Sequence, residues 1–280
     1  MQLPVYVLRN GALVLPAQAS ISVFTPAIYG AYGVYESMQV VNGVVFAQAQ
    51  HLQRLARSAE ILGLRLPGDQ ALFSRWIADV VTANAVVDAT LRLFVVGEDA
   101  GGEASVFIWP QPPQVFPQRY YTEGVAVITF LGERYLPQAK SLNALVTFLA
   151  RRQAEVQAAH EALLHHAGCL TEGSNSNLFA VVDGVVYTPP AAQVLAGVTR
   201  DLLIAWAGRH GLQIHEAPLA LADLPRWEEC FITSTSRHIM PVTTVDGRPV
   251  GDGRVGPVTQ RLAAIFEAEF RACIAAGQRK

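Results

Sequence analysis

The sequence predicts a two-domain α/β protein of the α+β kind, and three observations carry that expectation. Strand hairpins and amphipathic helices alternate in blocks along the chain. A stretch holding four prolines interrupts the pattern near the middle. The 280 residues, about half of them apolar, suffice for two separate cores. Asn-Gly or Asp-Gly between β-branched runs marks hairpins at Val40-Val41-Asn42-Gly43-Val44-Val45, at Ala180-Val181-Val182-Asp183-Gly184-Val185-Val186 and at Thr244-Val245-Asp246-Gly247-Arg248. Spacings of three and four put Leu52, Leu55, Ala59 and Leu62 on one helical stripe. Leu142, Leu145, Val146 and Leu149 form a second, and Leu202, Leu203 and Trp206 a third. Residues 109–120, WPQPPQVFPQRY, cannot continue a helix or a central strand. They set the boundary between an N-terminal α/β domain, 1–116, and a larger C-terminal α/β domain, 117–280.

Composition narrows the function classes. The formal net charge is −2, which excludes a disordered or supercharged chain and removes the basic footprint of a nucleic-acid binder. Cys169, Cys230 and Cys273 show no CxxC spacing, so neither a disulfide framework nor a zinc site is expected, and buried, inert thiols are. No basic segment leads into an apolar run at the N-terminus, and no apolar run reaches the length of a span. The expectation is a soluble cytoplasmic protein with no membrane partner. Of the 21 basic residues only Lys140 and the terminal Lys280 are lysine. Chemistry that needs a primary amine is one reason to keep an internal lysine, because arginine stays protonated and forms no Schiff base. Survival by chance is the other, and composition leaves the two level.

Four polar clusters are candidates for a site. Lys140 lies just before the helix expected from about Leu142. Thr171-Glu172-Gly173-Ser174-Asn175-Ser176-Asn177 precedes an apolar strand over 178–182 and reads either as a solvated loop or as a hydrogen-bonding site. There Glu172 could hold a heterocyclic nitrogen in its protonated form. Gly197-Val198-Thr199-Arg200-Asp201 opens a helix with Thr199 as a plausible N-cap, and such a start offers N–H groups to an anion. Thr233-Ser234-Thr235-Ser236 follows an apolar strand over 230–232. With Arg54, off the apolar stripe of its helix, these groups could surround a phosphate; alternatively Arg54 is a solvated surface residue. His160-Glu161-Ala162-Leu163-Leu164-His165-His166 misses the zinc-protease spacing and reads as a strand with surface or hydrogen-bonded histidines, so no metal is expected. GxSxG and P-loop motifs are absent.

In their joint order these motifs resemble the class IV, or fold type IV, pyridoxal-phosphate-dependent aminotransferases, a family that includes D-amino acid transaminases, branched-chain aminotransferases and aminodeoxychorismate lyase. The resemblance spans residues 26–270 through Gly33-Val34-Tyr35-Glu36, His51-Leu52-Gln53-Arg54-Leu55, Lys140-Ser141-Leu142-Asn143, Glu161-Ala162-Leu163-Leu164, residues 171–179, Gly197-Val198-Thr199-Arg200 and Thr233-Ser234-Thr235. It implies a small N-terminal and a larger C-terminal domain, a homodimer, pyridoxal 5'-phosphate as cofactor, and transfer of an amino group between an amino acid or amine and a 2-oxo acid. It further implies that Lys140 forms the Schiff base and moves the proton at the substrate Cα, and that Glu172 pairs with the pyridine nitrogen. Arg54, the backbone of Val198 and Thr199, and Thr235 with Ser234 beside it would hold the phosphate, and Tyr35 would line the substrate pocket. Two departures bear on substrate. The Arg-x-His carboxylate trap of D-amino acid transaminases is replaced by Gly101-Gly102-Glu103, and Tyr29-Gly30-Ala31-Tyr32 stands where Phe-Gly-Asp is usual. Arg237 or Arg92 is then expected to take the substrate carboxylate. A lyase that releases pyruvate, and a non-catalytic binding protein on the same scaffold, are the alternatives.

Overall fold

A computed structural model of the chain describes residues 4–99, 101–102 and 104–278, which divide into two compact units. The first comprises the chain up to Gln114, the segment Ala139–Asn143 and the end from Ala272; the second comprises Val115–Gln138 and Ala144–Arg271.

The first unit holds β1 (Val7–Arg9), β2 (Ala12–Val14), α1 (Pro26–Gly30), β3 (Gly33–Val41), β4 (Val44–Val45), α2 (Gln48–Ile61), α3 (Gln70–Ala83), β5 (Ala89–Gly97) and β6 (Ala104–Gln111). Its strands form an antiparallel sheet in the order β2-β1-β6-β5-β3-β4. Alternation along β3 and β5 turns Val34, Met38, Val40, Leu91, Leu93 and Val95 to one face, where they pack with Leu52, Leu55 and Ala59 of α2 and Phe73, Ile77 and Val80 of α3. Asn42 and Gly43, both at positive φ, make the tight β3–β4 turn that the sequence predicts. Asp69 caps α3 by accepting from Leu72 N at 2.9 Å.

The proline-rich segment begins later than the sequence implies. Trp109 and Pro110 lie inside β6, opposite Arg92 and Leu91 of β5. β1 pairs with β6 only at Phe107 and Ile108, so at Pro110 the outer flank of the strand has no partner and the missing N–H costs no ladder bond there.

The second unit holds α4 (Arg119–Thr122), β7 (Val125–Leu131), α5 (Leu145–Val156), β8 (Glu161–His166), β9 (Cys169–Gly173), β10 (Asn177–Val182), β11 (Val185–Thr188), α6 (Val198–Arg209), β12 (Ile214–Glu216), β13 (Leu219–Ala220), β14 (Glu229–Ser234), β15 (His238–Val245) and β16 (Arg248–Pro249). The final helix is α7 (Pro257–Gly277). The strands make a mixed sheet in the order β12-β11-β10-β14-β15-β7-β8-β9-β13, with β16 on β15. Near-continuous apolar runs in β10 and β14 are buried on both faces, and Phe179 and Phe231 stack at 4.7 Å between centroids. Asp183-Gly184 and Asp246-Gly247 turn the β10–β11 and β15–β16 hairpins at positive φ, as expected. Glu229 accepts from Val258 N at 3.0 Å and Thr259 N at 2.7 Å, which anchors the start of α7 on a buried carboxylate.

Parallel pairing of β7 with β8 demands a long crossover, and the connection between them carries Lys140. The sequence assigns this lysine to the C-terminal domain, yet Ala139–Asn143 groups with the first unit. Backbone pairing is the reason. Tyr35 N donates to Lys140 O and Leu142 N to Gly33 O, each at 2.9 Å, and Val34 bridges Ser141. A side chain on Gly33 would sit 2.7 Å from Leu142 Cδ1 and 2.7 Å from Val95 O, so only glycine lets this segment approach. The same pairing delays α5, which starts at Leu145 rather than near Leu142. The stripe expected to pack inward does not: Thr147, Ala150 and Ala154 face the sheet, while Leu145, Phe148, Leu149 and Val156 are exposed. Among the cysteines Cys230 is buried, and burial pushes its thiol up; Cys169 is half-buried and Cys273 exposed, against the expectation of three buried thiols. Among the described residues no helix is long and apolar enough to cross a membrane.

Candidate active site

The first unit presents two chemically different faces of one sheet. Opposite the apolar face, Tyr35 and Ser37 of β3, Arg92 and Phe94 of β5 and Trp109 of β6 share the other side by strand alternation and register. Tyr35 and Phe94 lie 5.6 Å apart between centroids, and Phe94 and Trp109 4.9 Å. The Lys140 ammonium stands over the Tyr35 ring, 4.4 Å from its centroid. Its backbone N donates to Ser58 Oγ at 3.0 Å, so α2 and β3 together fix the residue that carries the amine. Arg92 Nε donates to the neutral Gln111 Oε1 at 3.1 Å, and burial pulls its guanidinium pKa down against the opposing influence of Tyr35.

On the apolar face a carboxylate occupies a core position. Glu36 is fully buried and takes two charge-assisted bonds from Arg54, Nε to Oε1 at 2.7 Å and Nη2 to Oε2 at 2.8 Å, and one from His51 Nδ1 at 2.8 Å. Burial disfavours the charge, but Arg54 and His51 outweigh it and hold Glu36 well below the usual carboxylate range. Arg54, offered by the sequence as off the apolar stripe, is 8% exposed and faces this carboxylate. His51 is pushed down by burial, with Arg54 and Lys140 adding to the effect and Glu36 opposing it. Because a carboxylate only accepts, the proton sits on Nδ1, and Nε2 has no hydrogen-bond partner among the described residues. Glu36 stood in a motif without a role. The signal was its inward register between Val34 and Met38, since a carboxylate in that position requires cations, and His51 and Arg54 stand three residues apart on the helix packed there.

The second unit gathers the other expected residues. Glu172, at the end of β9, is buried; Leu195 N donates to its Oε2 at 3.4 Å, and Arg134 Nε lies 3.8 Å from Oε1. Arg134 was not singled out by the sequence. Thr199 is not the N-cap of α6. Gly197 is, with no side-chain cap, and Val198 and Thr199 fill the first helical positions. A Cβ on Gly197 would collide with Asn177 Oδ1, whose amide nitrogen donates to Leu195 O at 2.9 Å, so the approach to α6 is pinned to β10. The first-turn N–H groups are thus left without a side-chain acceptor, the condition for holding an anion. Ser234 ends β14, and the turn to β15 holds Thr235, Ser236 and Arg237. Thr233 Oγ1 is buried without a hydrogen-bond partner among the described residues.

Arg237, one of the two residues expected to meet a substrate carboxylate, is already faced by one. Glu161 Oε2 lies 3.3 Å from its Nη1. His160, just before β8, is a hydrogen-bonded histidine, accepting from Arg237 Nε at 3.1 Å. Of Gly101-Gly102-Glu103, expected in place of the carboxylate trap, Glu103 lies outside the described residues.

The family model Amino-transferase class IV matches residues 33–245. D-alanine aminotransferase of Listeria monocytogenes serotype 4b is 35% identical over 285 residues, covering 95% of this chain and 97% of that protein. Branched-chain amino acid aminotransferase from Escherichia coli superposes with a TM-score of 0.86 at 29% identity, covering 96% of this chain and 95% of the other. Branched-chain aminotransferase from the thermophilic archaeon Thermoproteus uzoniensis, solved with norvaline, gives a TM-score of 0.87 at 29% identity, with 95% of this chain and 94% of the other covered.

Proposed function

The chain belongs to the class IV aminotransferases, and from that premise we propose how its own residues carry out transamination between an amino acid or amine and a 2-oxo acid. The residues present fit pyridoxal 5'-phosphate. Lys140 offers a primary amine against an aromatic face, Glu172 a buried carboxylate, the start of α6 free backbone donors, and Thr233 a buried hydroxyl with no partner. When bound, the cofactor supplies an aldehyde carbon for amines and an electron-withdrawing ring. Lys140 would hold it covalently through the ε-nitrogen and, once a donor amine has taken that place, the freed amine would take and return the proton at the donor Cα. Glu172 would keep the ring nitrogen protonated, since a nearby carboxylate favours a cation. Arg54, the backbone N–H groups of Val198 and Thr199, and the hydroxyls of Ser234 and Thr235 would hold the phosphate.

The observation that carries this reading is Lys140, the one internal lysine, with its amine 4.4 Å over Tyr35. Borohydride reduction of protein loaded with pyridoxal 5'-phosphate, followed by peptide mass spectrometry, is expected to find the pyridoxyl mass on Lys140. An adduct elsewhere, or none, refutes it.

Tyr35 and Arg92 share a face of the first unit's sheet, and no ion pair engages Arg92 among the described residues, so Arg92 is the better partner for the donor carboxylate. Arg92→Ala is expected to raise KM for amino-acid donors by about 10- to 100-fold, the worth of a charged hydrogen bond, and to leave KM for a carboxylate-free amine unchanged. Equal effects on both donors would remove this assignment.

A second copy of the chain is the proposed occupant of the apolar side chains that α5 turns outward, Leu145, Phe148, Leu149 and Val156. Sedimentation equilibrium is expected to return the mass of two chains, and a single-chain mass at micromolar concentration would contradict it.

A further inference from the structure

One buried charge cluster joins two loops of the second unit that the proposed function uses. Glu161, at the start of β8, is 1% exposed. Its Oε1 accepts from Asn175 N at 2.5 Å, Ser176 Oγ at 3.0 Å and Ser174 Oγ at 3.2 Å, so a single oxygen holds the turn that follows Glu172. Its Oε2 makes no hydrogen bond and faces Arg237 Nη1 at 3.3 Å. Arg237, 7% exposed, is held inside the fold through Nη1, Nε and its backbone N. Nη1 and the backbone N each reach Ser234 Oγ at 3.4 Å, Nε donates to His160 Nε2 at 3.1 Å, and the guanidinium lies over Phe116, 5.4 Å from its centroid. His160 accepts that bond as a neutral ring; burial and Arg237 push its pKa down, with Glu161 opposing. The chain of contacts runs from Ser234 through Arg237 and Glu161 to the Ser174–Ser176 turn.

A guanidinium placed to catch a substrate carboxylate needs its charge uncommitted, and the charge of Arg237 is matched by Glu161. We propose that Arg237 is a positioning residue: by neutralising Glu161 and tethering Ser234, it sets the turn after Glu172 and the Ser234–Thr235 hydroxyls in the arrangement that receives the cofactor. Affinity for pyridoxal 5'-phosphate therefore depends on Arg237, and recognition of the donor carboxylate does not. This rests on the cofactor reading above.

The test compares Arg237→Met, Glu161→Gln, the double variant and Arg237→Lys by titration with pyridoxal 5'-phosphate, followed by kcat and KM for an amino acid and for a carboxylate-free amine. Arg237→Met leaves Glu161 buried and unpaired. It is expected to weaken cofactor binding by about 10- to 100-fold, the scale of a misplacement near 1 Å, and to lower kcat equally for both donors at saturating cofactor, with both KM values unchanged. The double variant leaves no unpaired charge and is expected to recover most of the lost affinity. A purely structural role would lower the melting temperature of Arg237→Met without altering the affinity of the folded protein, and that result overturns the proposal. So does a KM increase confined to the amino acid, or a double variant no better than the single. If Arg237→Met does not fold, Arg237→Lys decides: a partial loss of cofactor affinity supports the proposal, and parental affinity overturns it. Failure of the parent protein to take up the cofactor would instead refute the cofactor reading.

Discussion

Lys140→Ala is expected to lower transamination turnover by about four orders of magnitude, since the substitution removes at once the proposed attachment point and the proposed proton carrier at the substrate Cα. Lys140→Arg should be no better, because a guanidinium does not give up its proton near neutral pH. Neither change should unfold the protein. Lys140 is held through its backbone, by Tyr35 N at its carbonyl and Ser58 Oγ at its N–H, and those bonds survive truncation. The check is a pair of measurements on one preparation, product formation from an amino donor with 2-oxoglutarate and a thermal melt. An alanine variant within tenfold of parental turnover would leave Lys140 without its assigned role.

Glu36→Ala is expected to produce the largest loss of stability. The carboxylate is fully buried and satisfies Arg54 and His51 together, so its removal strands a buried guanidinium and an imidazole N–H. Breaking a buried pair from one side costs about 3–5 kcal/mol, which at this chain length lowers Tm by about 10 °C. The pH dependence has a definite sign. Glu36 has a native pKa below its ordinary value of 4.5, so its contribution is complete above 4.5 and is lost as pH falls toward the native value. His51, lowered from 6.5, acts in the same direction: the unfolded chain takes up its proton first, and stability begins to fall below pH 6.5. Because His51 is present in both proteins, melts from pH 8 to about pH 2.5 should show a gap between them that narrows only below about pH 4.5, and a gap unchanged down to about pH 2.5 would contradict the Glu36 assignment.

What the sequence made legible was what is encoded locally. Asn42-Gly43, Asp183-Gly184 and Asp246-Gly247 each specify their turn within two residues, because the backbone needs positive φ there. The stripe of Leu52, Leu55 and Ala59 does face the core. Motif order brought out Lys140, Glu172 and the start of α6. Long-range effects stayed hidden. Leu142 fits a helical stripe, but Gly33 recruits its backbone and the helix waits until Leu145. The outward turn of Leu145 and Phe148 is invisible in spacing alone, since either side of that helix reads as apolar and Ala150 and Ala154 took the close approach to the sheet. Arg237 looks like an available cation until Glu161, far away in sequence, is brought against it.

In the second unit β7 lies between β15 and β8 and runs parallel to both. Thr129 ties it to Asp246 through two bonds of 2.7 Å. One of the first strands of this unit to leave the ribosome must therefore wait for one of the last before its flank is closed, whereas the first unit's strands lie together in the opening stretch of the chain. Closure over so long a loop is slow, and the waiting edge is a target for misassociation during synthesis.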